Sequence, residues 1–142
     1  MKRNILFIFF AVCSMMLCAQ EEAAAGGLKG KGKVYMFGVS QQLTDTVIYV
    51  TSISEVDSID LEKKTSFLPF RTYFSSQLED YVSANLSKKK QTAAVFYSTK
   101  RSKLAKKLYK VKKYYLDNAN NRLVVIDDSK FKFVHPLDLV KE

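Results

Sequence analysis

Between Tyr97 and Tyr115 the chain reads YSTKRSKLAKKLYKVKKYY, and eight of these side chains are cationic with no acid among them: Lys100, Arg101, Lys103, Lys106, Lys107, Lys110, Lys112 and Lys113. Lysine and arginine at this density do one kind of chemistry well. They recognise anions, the ammonium as a compact point charge and the guanidinium as a planar fork. Lys100 and Arg101 stand with Ser98, Thr99 and Ser102 at the expected start of a helix, where exposed N–H groups can gather phosphate or sulfate. The stretch has neither the glycines nor the spacing of a phosphate loop, and Ser98 or Thr99 serves equally well there as a plain cap. Lys103, Lys106, Lys107, Lys110 and Lys113 carry the charge further along the same element. These seven are the candidate anion-binding residues.

Other chemistries find little material. His135 is the only histidine of the chain and stands before Pro136; both cysteines, Cys13 and Cys18, fall in the first eighteen residues, and no Gly-x-Ser-x-Gly elbow occurs. A Ser-His-Asp site or a histidine-based metal site therefore has no support, and His135 is expected to be a surface or packing residue. DNANNR (117–122) imitates a calcium loop but places Ala119 at its third position and Arg122 where glycine is required. Asp45, Glu55, Asp57, Asp60, Glu62, Glu79 and Asp80 are available as acids, though no spacing singles out two of them as a catalytic pair. No catalytic residue, metal ligand or cofactor is assigned. The enzymatic alternative is a small envelope hydrolase or ligand-binding enzyme using such carboxylates in a cleft at a sheet edge.

The elements that must position the cations follow from patterning. Lys2 and Arg3 followed by the short apolar run ILFIFFAV (5–12) form a secretory signal with cleavage expected after Ala19, so residues 1–19 are set aside from the fold. Lipid attachment at Cys18 is a weaker possibility, because Leu17 stands where a lipobox wants a small residue. The run is short for a membrane span, and none is expected in the mature chain. QEEAAAGGLKGKG (20–32) holds four of the five glycines and reads as a flexible tether. Residues 33–140 are the size of one domain, without a disulfide once the signal is removed.

Within it, KVYMFGVS (33–40) and TVIYVTSI (46–53) are β-branched and aromatic runs that predict an antiparallel hairpin. Gly38, inside the first run, marks a bulge or a close backbone approach. Pro69 is placed to open a helix over 70–88, with Phe74, Leu78, Tyr81, Val82 and Leu86 at helical spacing. TAAVFYS (92–98) is apolar on both alternating faces and is expected in the middle of the sheet. A second helix follows over 100–116, and RLVVID (122–127) with FKFV (131–134) predict a closing strand pair. The fold class is α/β (α+β): one mixed sheet of four to five strands with two helices, in the order β-β-α-β-α-β-β.

On the second helix Leu104, Leu108, Val111 and Tyr115 form a narrow apolar stripe, with lysines on the opposite side. An ordinary amphipathic surface helix would look the same. It would also tend to alternate charge sign, because like charges three or four residues apart cost a few tenths of a kcal/mol each. Residues 81–116 hold eleven bases and no acid, whereas the chain outside this window and the signal has ten bases against fourteen acids. Either an anionic partner or the chain's own EVDSIDLE (55–62) must answer that asymmetry. For an exported, periplasmic or secreted domain the partner is an anionic envelope component, such as a lipid headgroup, lipopolysaccharide or acidic glycan, or an acidic protein. Compartment argues against nucleic acid. FLPFRTYF (67–74) adds four aromatic rings in eight residues, mostly for the core, with any exposed remainder a partner surface.

The stretches VYMFGVSQQLTDTVIYVTSI (34–53), TSFLPFRTYFSSQLEDYV (65–82) and AAVFYSTKRSKLAKKLYKVKKYY (93–115) resemble small exported bacterial proteins of unknown function. The likeness brings no activity, cofactor or site with it. The expectation from sequence is thus an exported, non-enzymatic binding or structural domain whose basic helix faces an anionic surface or an acidic partner.

Overall fold

The sheet is organised around one strand. In β1 (Val34–Gln41) Val34 and Met36 turn to one face and Phe37 and Val39 to the other, and all four are buried, as in a strand with neighbours on both edges and layers on both faces. These relations come from a computed structural model that describes residues 32–141. The expected signal segment, Cys13, Cys18 and the tether up to residue 31 lie outside the described residues.

One edge of β1 is occupied throughout by β4 (Thr92–Ser98), antiparallel, from Tyr35 opposite Ser98 to Gln41 opposite Thr92. The other edge is shared by β2 (Val47–Thr51), which pairs Val39 with Val50, and β3 (Ser54–Val56), which pairs Val34 with Val56. Between these two pairings the β2–β3 side carries one residue more than β1. The result is a bulge, and Thr51 Oγ1 fills the gap by accepting the Gly38 N–H at 2.9 Å. β5 (Arg122–Ile126) runs parallel to β2, from Val47 opposite Arg122 to Thr51 opposite Ile126. The order across the sheet is β4, β1, the bent β2–β3 ribbon, then β5.

Helix α1 (Arg71–Val82) covers one face. It buries Phe74, Leu78 and Val82 against Val34, Met36, Val95, Ile126 and Phe133. Helix α2 (Arg101–Leu116) covers the other and meets Phe37, Val39, Ile48 and Val50 through Leu104. The predicted mixed sheet with two helices is therefore present, with one helix per face.

Four local expectations need correction. β4 pairs only with β1 and is an edge strand, not the middle one; its two-sided apolarity arises because α1 packs on Ala93, Val95 and Tyr97 while Phe96 joins the α2 face. FKFV forms no strand with β5. Its backbone is held instead by the Gln77 side chain, whose Oε1 accepts the Val134 N–H at 3.1 Å and whose Nε2 donates to the Val134 carbonyl at 2.7 Å. α1 ends at Val82 and widens into a π turn over Ser83–Ser87 before Lys88 stops it in the left-handed region. Pro69 is not its first residue, since the N-cap is Phe70, at φ 59°, with its ring edge-on to His135 at 5.6 Å.

Gly38 is the close approach that the sequence suggested. A Cβ there would lie 2.3 Å from Leu78 Cδ2 and 3.0 Å from Phe133 Cζ. Gly38→Ala forces α1 away from the sheet and should cost about 1–3 kcal/mol, the usual range for overpacking. Urea denaturation checks this, and trimming Leu78 to Ala in the same chain should make the added methyl much less costly.

Candidate anion-binding surface

α2 begins without help from side chains. Its N-cap is Lys100, in extended conformation with no side-chain cap bond, and its first turn contains no acid. Neither Ser98 nor Thr99 caps it: Ser98 Oγ accepts the Lys100 N–H at 3.1 Å in a short turn just outside the helix. None of residues 98–102 lines the three cavities found around this helix and the β4 edge. At the far end Lys113 lies in the last turn, where the helix dipole favours a cation, and Asn121 Nδ2 donates to the Tyr115 carbonyl at 3.3 Å.

The inner face of α2 is as narrow as its spacing implied. Leu104 is its one fully buried side chain, flanked by half-buried Leu108, Val111 and Tyr115. All seven candidate residues, Lys100, Arg101, Lys103, Lys106, Lys107, Lys110 and Lys113, are exposed. Tyr109 and Tyr114, at 68% and 74% exposure, stand among them and contribute nothing to the core. Lys103, Lys107 and Lys110 follow one another at intervals of four and three, so they form a single row along one flank of the helix.

The acids of 55–62 are engaged elsewhere. Among the described residues the ion pairs are both made by Lys33, to Glu55 at 2.6 Å and to Asp57 at 3.8 Å. Asp60 Oδ1 accepts the Gly32 N–H at 3.0 Å, and Glu62 accepts the Thr65 hydroxyl. The hydrogen bond from Lys33 holds the Glu55 carboxyl below the usual carboxylate range, with a smaller contribution from Arg101, and the same contact raises Lys33. Arg101 therefore feels one acid of this segment. The lysines further along α2 make no ion pair with any of its acids.

A groove lies along the lysine row. It has a volume of about 580 Å³ and runs between α2 and β4 over a floor of Val39, Ala94, Phe96 and Val111, with Lys107 and Lys110 on its rim and Tyr114 and Leu43 toward one end. The Lys107 ammonium sits 4.8 Å from the centre of the Phe96 ring, a cation–π distance, and Phe96 stacks on Phe37 at 4.9 Å. Floor residues such as Ala94 and Phe96 were not singled out from sequence. The signal was present nonetheless, in a strand apolar on both faces.

The remaining candidate chemistry stays dispersed. No Asp or Glu among the described residues is buried, and no three His, Cys, Asp or Glu side chains there gather as a metal site. Glu79 accepts the Ala93 N–H at 2.8 Å and Asp45 the Val47 N–H at 3.3 Å, so both serve the backbone. His135 is buried, with Nδ1 accepting the Leu137 N–H at 3.1 Å. Phe67 and Phe70 are the exposed remainder of the aromatic cluster, while Leu68 and Phe74 are buried. No helix among the described residues is long and apolar enough to cross a membrane. Compared with protein-family models, curated proteins and solved structures, the chain matches none.

Two outcomes follow from this geometry. Leu104→Ala removes the main anchor of α2 and should cost about 2–5 kcal/mol in chemical denaturation, within the range for a buried leucine. The depressed Glu55 pKa adds stability above its unfolded-state value that is lost as pH falls through the folded-state value. In Lys33→Ala the Glu55 carboxyl should titrate closer to the ordinary carboxylate range, as read by NMR of its side-chain resonances.

Proposed function

We propose that the chain is an exported, non-enzymatic binding domain of the cell envelope, and that α2 meets an anionic surface or an acidic partner through Lys103, Lys106, Lys107, Lys110 and Lys113. One observation carries this: these ammonium groups are exposed and make no ion pair with the acids of 55–62, which are occupied by Lys33, Gly32 and Thr65. A row of like charges that the fold leaves unopposed is a steady cost to the helix, and an external anion would relieve it. A carboxylate hydrolase would need two acids desolvated in one place; among the described residues no carboxylate is buried.

Stability and binding should respond with opposite signs. Lys106→Glu converts the repulsions with Lys103 and Lys110 into attractions, so it should stabilise the fold by about 0.5–1 kcal/mol while weakening retention on heparin or anionic vesicles. Chemical denaturation and elution at graded salt read the two effects. Unchanged retention, for this variant and for a chain with all five lysines changed to Glu, would leave α2 as an ordinary surface helix.

A further inference from the structure

The groove beside α2 has features that a docking face for a broad anionic surface does not need. Its floor is almost entirely apolar, the ring stack of Phe96 on Phe37 keeps that floor rigid, and no acid lines it. At Phe96 and Lys107 it meets a second cavity of about 390 Å³, which brings in Arg71 with the Thr65 and Ser66 segment and again has no acid in its lining. The Tyr97 hydroxyl donates to the Ser66 carbonyl at 3.1 Å and fixes that segment against the strand. An apolar trough about as large as a small-molecule site thus ends at two cations, Lys107 and Arg71, from different elements.

We propose that this groove binds a single-chain anionic lipid. Its acyl chain lies over Ala94, Phe96 and Val111, and its terminal carboxylate sits between Lys107 and Arg71. The chemistry on each side matches. Methylenes replace water on the apolar floor, and the carboxylate supplies the negative charge that the lining lacks. Apolar lining with a few convergent polar groups at one end is the usual composition of such sites. The inference rests on α2 being an anion-facing element, but it adds Arg71 and the β4 floor, neither of which belongs to the lysine face.

The test is calorimetric titration of the full-length chain with octanoate, decanoate and dodecanoate below their micelle concentrations, with dodecanol, dodecyl phosphate and inorganic phosphate as comparisons. Affinity should rise about three- to fourfold per added methylene. Dodecanoate should exceed dodecanol at least tenfold, and inorganic phosphate alone should not saturate the site. Ala94→Trp fills the trough and should reduce dodecanoate affinity at least tenfold; Leu43→Asp, at a position 93% exposed and so harmless to folding, should reduce it severalfold. Arg71→Gln should weaken dodecanoate and leave dodecanol unchanged. Heparin retention should survive all three substitutions, so the groove and the lysine face fail separately. Absence of saturable acyl binding, equal affinity for dodecanoate and dodecanol, or wild-type binding by Ala94→Trp and Leu43→Asp would overturn the proposal. So would a dimer in sedimentation that Ala94→Trp abolishes, because a second copy would then be the occupant. Dodecyl phosphate binding much more tightly than dodecanoate would overturn the carboxylate assignment.

Discussion

Helix α2 has to bury enough apolar surface to stay on the sheet while keeping its seven cationic side chains hydrated, and much of the molecule's surface follows from that conflict. An ammonium group removed from solvent without a partner is so costly that burial is avoided, so the helix meets the sheet through Leu104 and the half-buried residues beside it. It cannot roll further toward β4 without desolvating Lys107 and Lys110. Part of the outer face of β4 is therefore left uncovered, with Thr92 and Ala94 exposed, and the space between strand and helix becomes the groove. The same constraint thus leaves both a cationic surface and an apolar trough beside it.

The opposite face shows what the sheet does without that conflict. α1 carries its apolar residues close to the strands, Gly38 lets Leu78 and Phe133 approach the backbone, and Phe131 and Phe133 close over the helix, edge-on to each other and, through Phe133, to Phe74, with Phe131 tilted against Tyr81. This core is the larger of the two. The α1 side packs β1 and β2 through its own core, so the sheet does not depend on the narrower contact with α2.

Much of this was legible in the sequence, for identifiable reasons. The α2 boundaries were expected at 100–116 and lie at Arg101–Leu116, because periodic leucines and a polar DNANN stop leave little freedom. The hairpin and Gly38 were legible for similar reasons, through β-branched runs and a lone glycine. Strand position was not, since apolarity on both faces of TAAVFYS describes covering layers and not the number of hydrogen-bonded neighbours. FKFV looked like a strand because its side chains alternate; whether its backbone pairs with a strand or with an amide such as Gln77 depends on a contact 57 residues away in sequence. The lysines of the candidate surface were visible as a charge run, but their lack of internal ion pairs depended on where Lys33, Gly32 and Thr65 hold the acids. Arg71 and the groove floor come from segments far from α2 in sequence, and only tertiary packing brings them together.

The most direct measurement follows the backbone amide resonances of the chain while vesicles containing anionic lipid are added at low and then at high salt, with neutral vesicles as the reference. The account predicts that anionic vesicles perturb Lys103 to Lys113 first and most, that neutral vesicles leave them unchanged, and that salt reverses the effect as counterions screen the lysine row. Equal response to neutral and anionic vesicles, or perturbation confined to residues away from α2, would contradict it.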